Sequence, residues 1–142
     1  MKGVINAVFA CYTMCMGYSK ITHVTQDSRE VQPGDYFIAC KGDNVDGHRF
    51  IAAAKARGAR GILEEEELFA LAKDKLEEFA PVVVAVTGSV GKTTTKEAIA
   101  TTLSEKYRVL KSPKNINVRR SLSIFILNEL SREDEVLVVE MA

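Results

Sequence analysis

Apolar residues along this chain fall into two kinds of run, and each kind predicts a different element. Residues 82–86 and 135–140 are nearly uninterrupted aliphatic segments. A continuous run of this length predicts a strand that is buried on both faces, which is typical of a parallel sheet. Residues 65–79 instead carry leucine, alanine and phenylalanine at helical spacing, so we predict a helix there.

Shorter segments with turn signals between them complete the pattern. We predict strands at residues 21–25, 36–40, 61–63 and 107–110, helices at 4–16, 50–57, 92–106 and 119–130, and a loop at 111–118. Strands and helices that alternate in this way predict an α/β fold with parallel sheets. Because Pro81 opens a new aliphatic strand, we place a domain boundary between residues 1–80 and 81–142.

Composition and charge exclude several classes of protein. Nineteen basic and nineteen acidic residues give a formal net charge of zero, so we expect neither a nucleic-acid partner nor a membrane-surface protein. Three cysteines without a CxxC pair, beside only two histidines, argue against a disulfide framework or a zinc site and favour a cytoplasmic location. No apolar run reaches the ~18 residues of a membrane span, and the first seventeen residues lack a clean signal-peptide cleavage site.

The turn after the 82–86 strand is the strongest candidate for chemistry. Its sequence is TGSVGKTTT, and a predicted helix follows it. Glycines let main-chain N–H groups close around phosphate oxygens, and the helix N-terminus adds partial positive charge. The alternative is a glycine turn with a chance lysine, but the strand before and the helix after favour a nucleotide-phosphate site. We therefore predict ATP binding by Thr87, Gly88, Ser89, Val90, Gly91, Lys92, Thr93 and Thr94.

Two side chains of this turn have predicted roles of their own. Lys92 can reach the β- and γ-phosphates, which makes it the candidate catalytic residue. The hydroxyl of Thr93 can hold Mg²⁺. The turn is the short G-x-x-G-K-T form, because Val86 stands where the commoner Walker form has its first glycine.

This short loop, continued by Thr95-Lys96-Glu97, resembles the Mur ligase family. Asp27-Ser28-Arg29, Pro33-Gly34-Asp35 and Asp46-Gly47-His48 are similar to the N-terminal domain of that family. There the domain receives the UDP end of a nucleotide-linked muramyl peptide. The resemblance thus implies substrate binding by Ser28, Arg29, Asp46, Gly47 and His48. Taken singly, Ser28 would be a turn residue, Arg29 and Asp46 a surface ion pair, and His48 a residue at the start of a helix.

The resemblance continues downstream of the phosphate-binding turn. Asn115 and Asn117 fall where the family has an asparagine-rich loop close to the reacting phosphates, and the resemblance implies that they contact substrate. Glu140 ends a buried strand where the family places a Mg²⁺-binding glutamate, so the implied metal ligands are Thr93 and Glu140. The sequence departs from the family pattern at Val118, where another asparagine is usual.

The resemblance also implies an activity for the complete protein. It would use ATP and Mg²⁺ to join D-alanyl-D-alanine to UDP-N-acetylmuramoyl-tripeptide through an acyl phosphate, in cytoplasmic peptidoglycan synthesis. Residues 1–80 would be the substrate domain, and 81–142 the start of a P-loop parallel-sheet ATPase domain. Family members have three domains, so we expect these 142 residues alone to be inactive. The resemblance also implies that the complete enzyme is a monomer.

Three alternatives stay open at this point. The first is the sibling family member that adds the third amino acid of the peptide. The second is a non-catalytic nucleotide-binding remnant, which would be a binding module and not an enzyme. A small stand-alone kinase is the third, although no segment is left over to serve as its acceptor site or lid.

Overall fold

A computed structural model describes residues 21–42 and 46–142 of the chain. The helix predicted at residues 4–16 lies outside the described residues. The chain divides after Asp74 into two compact units, one up to Asp74 and one from Lys75 to Ala142. This division falls inside a helix, whereas the predicted boundary follows Ala80; the assignment of 1–80 and 81–142 as domains stays a prediction.

The first unit contains a three-stranded parallel sheet in the order β1-β2-β3. Its register pairs Tyr36 of β2 with Val24 of β1 and with Gly61 of β3. The elements in chain order are β1 (Val24–Thr25), β2 (Tyr36–Ile38), a 3₁₀ helix (Gly47–Phe50), α1 (Ile51–Ala56), β3 (Gly61–Leu63) and the start of α2 (Glu65–Phe79). The sequence pattern did not separate the 3₁₀ helix from the helix after it.

Small and aromatic side chains on β2 and α1 form the core of this unit. Phe37 and Ala39 pack with Val31 and Ala54, and all four side chains are buried. Alanine at position 54 lets α1 lie close to the sheet, and α1 ends at Ala56, close to the predicted bound. Removing apolar surface of this kind from water stabilises a fold by about 25 cal/mol per Å².

The second unit contains three parallel strands in the order β4-β6-β5, with helices in the crossovers. The last strand of the chain therefore lies between the other two. Its elements are β4 (Val82–Val86), α3 (Lys92–Ser104), β5 (Val109–Lys111), α4 (Arg119–Glu129) and β6 (Val136–Glu140). These bounds confirm the predicted strands and helices to within a few residues, and the parallel pairing confirms the α/β class.

The two aliphatic strands differ in burial, and one prediction is wrong. Every residue of β6 is buried, as its sequence predicts. In β4, however, Val82 is 64% exposed and Val83 is 51% exposed. The physical reason is position, because β4 lies at the edge of the described sheet and has only β6 as a neighbour. Val84 packs partly against the core cluster that contains Val138.

Candidate functional site

The phosphate loop (residues 87–91) connects β4 to α3 at the carboxyl edge of the parallel sheet. Gly88 and Gly91 have positive φ angles of 142° and 78°. Any other residue at position 91 would need a left-handed backbone conformation, which L-residues disfavour. Gly91 is also the N-cap of α3, so the chain enters the helix with its first N–H groups free of a side-chain cap. These are the donors that bind anions at a helix start.

Lys92 is the first residue of α3, and its side chain turns back over the loop. Its Nζ donates a hydrogen bond to the carbonyl oxygen of Gly88 at 2.6 Å. The ammonium is therefore held against the loop, where a phosphate bound by the loop would need a counter-charge. Of the predicted ATP-binding residues, Thr87 to Gly91 are exposed, Lys92 and Thr93 are half-buried, and Thr94 is exposed.

Thr93 and Glu140 meet at this edge although 47 positions separate them along the chain. The Thr93 hydroxyl donates a hydrogen bond to Oε2 of Glu140 at 2.9 Å. Both groups are hard oxygen donors, which is the ligand type that Mg²⁺ prefers. Within residues 21–42 and 46–142, no group of three or more histidine, cysteine, aspartate or glutamate residues is placed to hold a metal. The two oxygens are therefore a candidate pair of metal ligands.

A buried lysine next to this pair was not among the predicted site residues. Lys96 is 0% exposed, and its Nζ donates to the carbonyl oxygens of Ser112 at 2.6 Å and Pro113 at 3.3 Å. Its Nζ also lies 4.0 Å from Glu140. A signal exists in the sequence, because Lys96 falls one helical turn before the buried Ala100 and so lies on the apolar face of α3.

The two predicted asparagines lie in a loop that follows β5. We call residues 112–118 the asparagine loop. Asn115 has a φ angle of 67°, a left-handed conformation that asparagine tolerates better than most residues. The carbonyl oxygen of Asn117 accepts a hydrogen bond from the N–H of Ala142 at 2.9 Å, just after β6. The structure therefore brings the asparagine loop to the same sheet edge as the phosphate loop and Glu140.

In the first unit, Ser28 and Arg29 lie in a turn after β1. The N–H of Glu30 donates to the carbonyl of Asp27 at 3.0 Å, which closes this turn. The Arg29 guanidinium binds both carboxylate oxygens of Asp27, with the shortest contact at 2.6 Å, and this bond lowers the Asp27 pKa to about 2. The Arg29 side chain is nonetheless 84% exposed, so its remaining donors face solvent.

Asp46, Gly47 and His48 form the start of the 3₁₀ helix. The Asp46 carboxylate accepts from the N–H of His48 at 3.0 Å and contacts its ring Nδ1 at 2.6 Å. The other ring nitrogen lies 3.1 Å from a carboxylate oxygen of Glu64. The hydrogen bond to Asp46, and then the one to Glu64, raise the pKa of His48 above its ordinary value of 6.5. Glycine is required at position 47, since a Cβ there would lie 2.7 Å from the carbonyl oxygen of Cys40.

Glu64 is a second group that the sequence interpretation missed as part of a site. The acidic run Glu64 to Glu67 predicts a solvated helix start, and α2 does begin at Glu65. Glu64, directly before that helix, contacts the imidazole ring of His48, which lies 16 positions earlier in the chain. No local pattern signals this contact, because it depends on how the 3₁₀ helix packs beside the end of β3.

The chain is also similar to known proteins. The model of the Mur ligase family, catalytic domain, matches residues 20–116. The chain therefore belongs to the Mur ligase family.

Within this family, the chain is similar to two kinds of ligase. The chain is 35% identical to the UDP-N-acetylmuramoyl-tripeptide–D-alanyl-D-alanine ligase of Synechocystis, over 87% of this chain and 31% of that protein. It is 37% identical to the UDP-N-acetylmuramoyl-L-alanyl-D-glutamate–2,6-diaminopimelate ligase of Chlorobium phaeobacteroides, over 59% of this chain and 21% of that protein. The crystal structure of MurF ligase from Thermotoga maritima in complex with ADP superposes with a TM-score of 0.81 at 39% identity, covering 89% of this chain and 33% of that one.

These alignments also fix the extent of the likeness. The chain spans about a third of the length of the D-alanyl-D-alanine ligases that it matches. Among the residues that the structure describes, no helix combines the length and the apolar character needed to cross a bilayer.

Proposed function

We propose that the complete protein carrying this chain joins D-alanyl-D-alanine to UDP-N-acetylmuramoyl-tripeptide at the expense of ATP. The observation that carries the proposal is the phosphate loop, with Lys92 above it and the Thr93–Glu140 pair beside it. Membership of the Mur ligase family and 39% identity to a MurF ligase that binds ADP support it. The site of this chemistry would be the cytoplasm, where ATP is available.

In the proposed reaction, a carboxylate oxygen of the tripeptide attacks the γ-phosphorus of ATP and ADP leaves. The product is an acyl phosphate. The amine of D-alanyl-D-alanine then attacks the acyl carbon, phosphate leaves with the C–O bonding pair, and the amine loses one proton. Negative charge develops on the transferred phosphoryl group, so its neutralisation dominates the barrier.

Residues 81–142 would supply the ATP-binding part of this site, as the start of a P-loop ATPase domain. The N–H groups of residues 87–91 and of the first turn of α3 would bind the phosphates, with Lys92 as counter-charge. Thr93 and Glu140 would hold Mg²⁺, which when bound neutralises phosphate oxygens as a Lewis acid. Asn115 and Asn117 lie at the same edge and would contact the substrate that approaches the γ-phosphate.

Residues 1–80 would receive the UDP end of the substrate. Arg29 offers exposed guanidinium donors after binding Asp27, and such donors suit a diphosphate. His48 is held by Asp46 and Glu64 in a form that favours its protonated state. Ser28 and Gly47 would contribute a hydroxyl and a close backbone approach. We propose that the complete enzyme works as a monomer.

The test is reconstitution of the complete protein with ATP, Mg²⁺, UDP-N-acetylmuramoyl-tripeptide and D-alanyl-D-alanine. Phosphate release should require both substrates, and mass spectrometry should detect the UDP-linked pentapeptide. Phosphate release that is independent of the dipeptide would contradict the proposal.

The sibling activity is the second candidate, because a diaminopimelate ligase is 37% identical over 59% of this chain. A parallel assay with UDP-N-acetylmuramoyl-L-alanyl-D-glutamate and diaminopimelate distinguishes the two. Turnover only in this second assay would mean that the protein adds diaminopimelate, as the sibling does. Nucleotide binding without turnover in either assay would favour a binding module.

A further inference from the structure

Lys96 is the most completely buried charged side chain in the second unit. An ammonium loses several kcal/mol of hydration when it leaves water, so its position in the apolar face of a helix needs compensation. Two carbonyl oxygens supply part of it, from Ser112 and Pro113. The carboxylate of Glu140, which is itself only 6% exposed, supplies opposite charge at 4.0 Å.

Both carbonyl acceptors belong to the beginning of the asparagine loop. Ser112 is fully buried, its N–H donates to the carbonyl of Val138 at 2.9 Å, and its hydroxyl accepts from the N–H of Glu140 at 3.3 Å. Lys96 therefore joins three segments that are distant in sequence, namely the helix after the phosphate loop, the start of the asparagine loop and the end of β6.

The rest of the asparagine loop has much weaker support. Residues 113–115 are exposed, and Asn115 has a left-handed backbone conformation. Asparagine adopts this conformation more readily than most residues, so the conformation alone does not fix the loop, and contacts around it are needed to set its position. Near residue 115, those contacts come from the Lys96 bonds on one side and from the Asn117–Ala142 bond on the other.

We propose that Lys96 is a positioning residue that anchors the asparagine loop and the Glu140 carboxylate against the phosphate-loop helix. This role rests on the proposed ligase function. In it, Lys96 does not itself contact ATP or substrate. It sets where Asn115 and Asn117 stand relative to the γ-phosphate. A displacement of about 1 Å at such a position lowers turnover by as much as about 10²-fold.

The test compares Lys96→Met with Lys75→Met in the complete protein. Lys75 is the matched control, because it is also buried in this unit and its Nζ also donates to a main-chain carbonyl, that of Leu127 at 2.8 Å. Lys96→Met should lower kcat on the order of 10²-fold with the KM for ATP changed by less than about threefold. Lys75→Met should lower the thermal stability comparably and leave kcat near the wild-type value.

Hydrogen exchange of the ADP-bound protein gives a readout that does not depend on turnover. In Lys96→Met, amides of residues 112–118 should exchange about tenfold faster, while amides of residues 87–95 keep their protection. Should the methionine variant fail to fold, Lys96→Gln and Lys96→Arg take its place. The glutamine variant should show the same loop-specific acceleration, and the arginine variant, which keeps charge and donors, should restore part of the protection.

Unchanged exchange at residues 112–118, or equal effects of the Lys96 and Lys75 substitutions on kcat, would overturn the inference. The exchange result also separates it from the proposed function. If the wild-type protein binds ADP but does not ligate D-alanyl-D-alanine, the proposed function fails while loop exchange still decides the role of Lys96.

Discussion

The two candidate sites are built in different ways. In the first unit, Arg29 and His48 each bind a carboxylate two positions earlier in the chain, at Asp27 and Asp46, and His48 also binds Glu64, 16 positions later. The Arg29 side chain is 84% exposed, and those of His48 and Asp46 are 42% and 45% exposed. In the second unit, Thr93 binds a carboxylate 47 positions away, and Lys96 binds carbonyls 16 and 17 positions away. The first site is thus formed largely by turns, with one contact from the distant Glu64, and the second by the sheet.

This difference agrees with the ligands proposed for each site. Phosphoryl transfer requires fixed donors, and a buried network on helices and strands holds them more rigidly than turns do. Exposed side chains on turns can adjust to a nucleotide that only has to be bound. Substitutions in the second unit should therefore affect turnover, and those in the first should affect the affinity for the UDP substrate.

Lys92→Ala should have the largest effect. Loss of the counter-charge over the phosphate loop should lower kcat in the complete protein on the order of 10²- to 10³-fold, because charge on the transferred phosphoryl group is left unneutralised. Steady-state phosphate release measures this, with circular dichroism to show that the fold persists. Lys106→Ala, a change to an exposed lysine just after α3, serves as the control. Near-normal turnover of Lys92→Ala would remove Lys92 from the catalytic role.

Thr93→Val should have the next largest effect, on the requirement for metal. The methyl group that replaces the hydroxyl cannot ligate Mg²⁺, so the Mg²⁺ concentration for half-maximal rate should rise about tenfold or more. A titration of the rate with Mg²⁺ at saturating ATP measures it. Thr93→Ser keeps the hydroxyl and should stay close to wild type. Equal Mg²⁺ requirements in the valine and serine variants would argue against a Thr93 ligand.

Arg29→Ala tests the first unit and should change affinity alone. Loss of a charged hydrogen-bond donor should weaken binding of UDP-N-acetylmuramoyl-tripeptide roughly tenfold, while the Kd for ATP stays constant. Calorimetry with each ligand gives both constants. Arg108→Ala is the matched control, since Arg108 is an exposed arginine paired with the exposed Glu133 at 2.9 Å in the second unit. Weaker ATP binding in Arg29→Ala would mean that the first unit receives a different ligand.

The smallest expected effect is a change in the pKa of His48. Its pKa should lie above 6.5, and Glu64→Gln should lower it, because the second carboxylate contact is removed. The folded state then binds the proton more tightly than the unfolded state does, so the contribution to stability is present below pH 6.5 and lost as pH rises through the folded pKa. NMR of the imidazole resonances measures the pKa, with Glu66→Gln as the control. A pKa that Glu64→Gln leaves unmoved would contradict the observed contact.

Much of the fold follows from local pattern. The period of residues 65–79 predicts α2 with its observed bounds, and the glycine-rich turn between strand and helix predicts the phosphate loop. Local pattern suffices here because helix periodicity and glycine conformation depend on residues within about one turn of each other. The same local information places Ser28 in a turn and His48 at the start of a helix. The expected ion pair between Arg29 and Asp46 is wrong, because each binds a partner two positions away, Arg29 with Asp27 and Asp46 with His48.

Other features were decided only by the tertiary structure. The valine run of β4 has the composition of a doubly buried strand, yet Val83 is half exposed because β6 takes the central place in the sheet. The contacts of Lys96 with Ser112 and of Thr93 with Glu140 exist because parallel strands bring their carboxyl ends to one edge. Strand order and burial depend on which distant segments pack together. A single local segment therefore determines which element it forms, while its neighbours in space determine what that element buries and which polar groups it brings to the site.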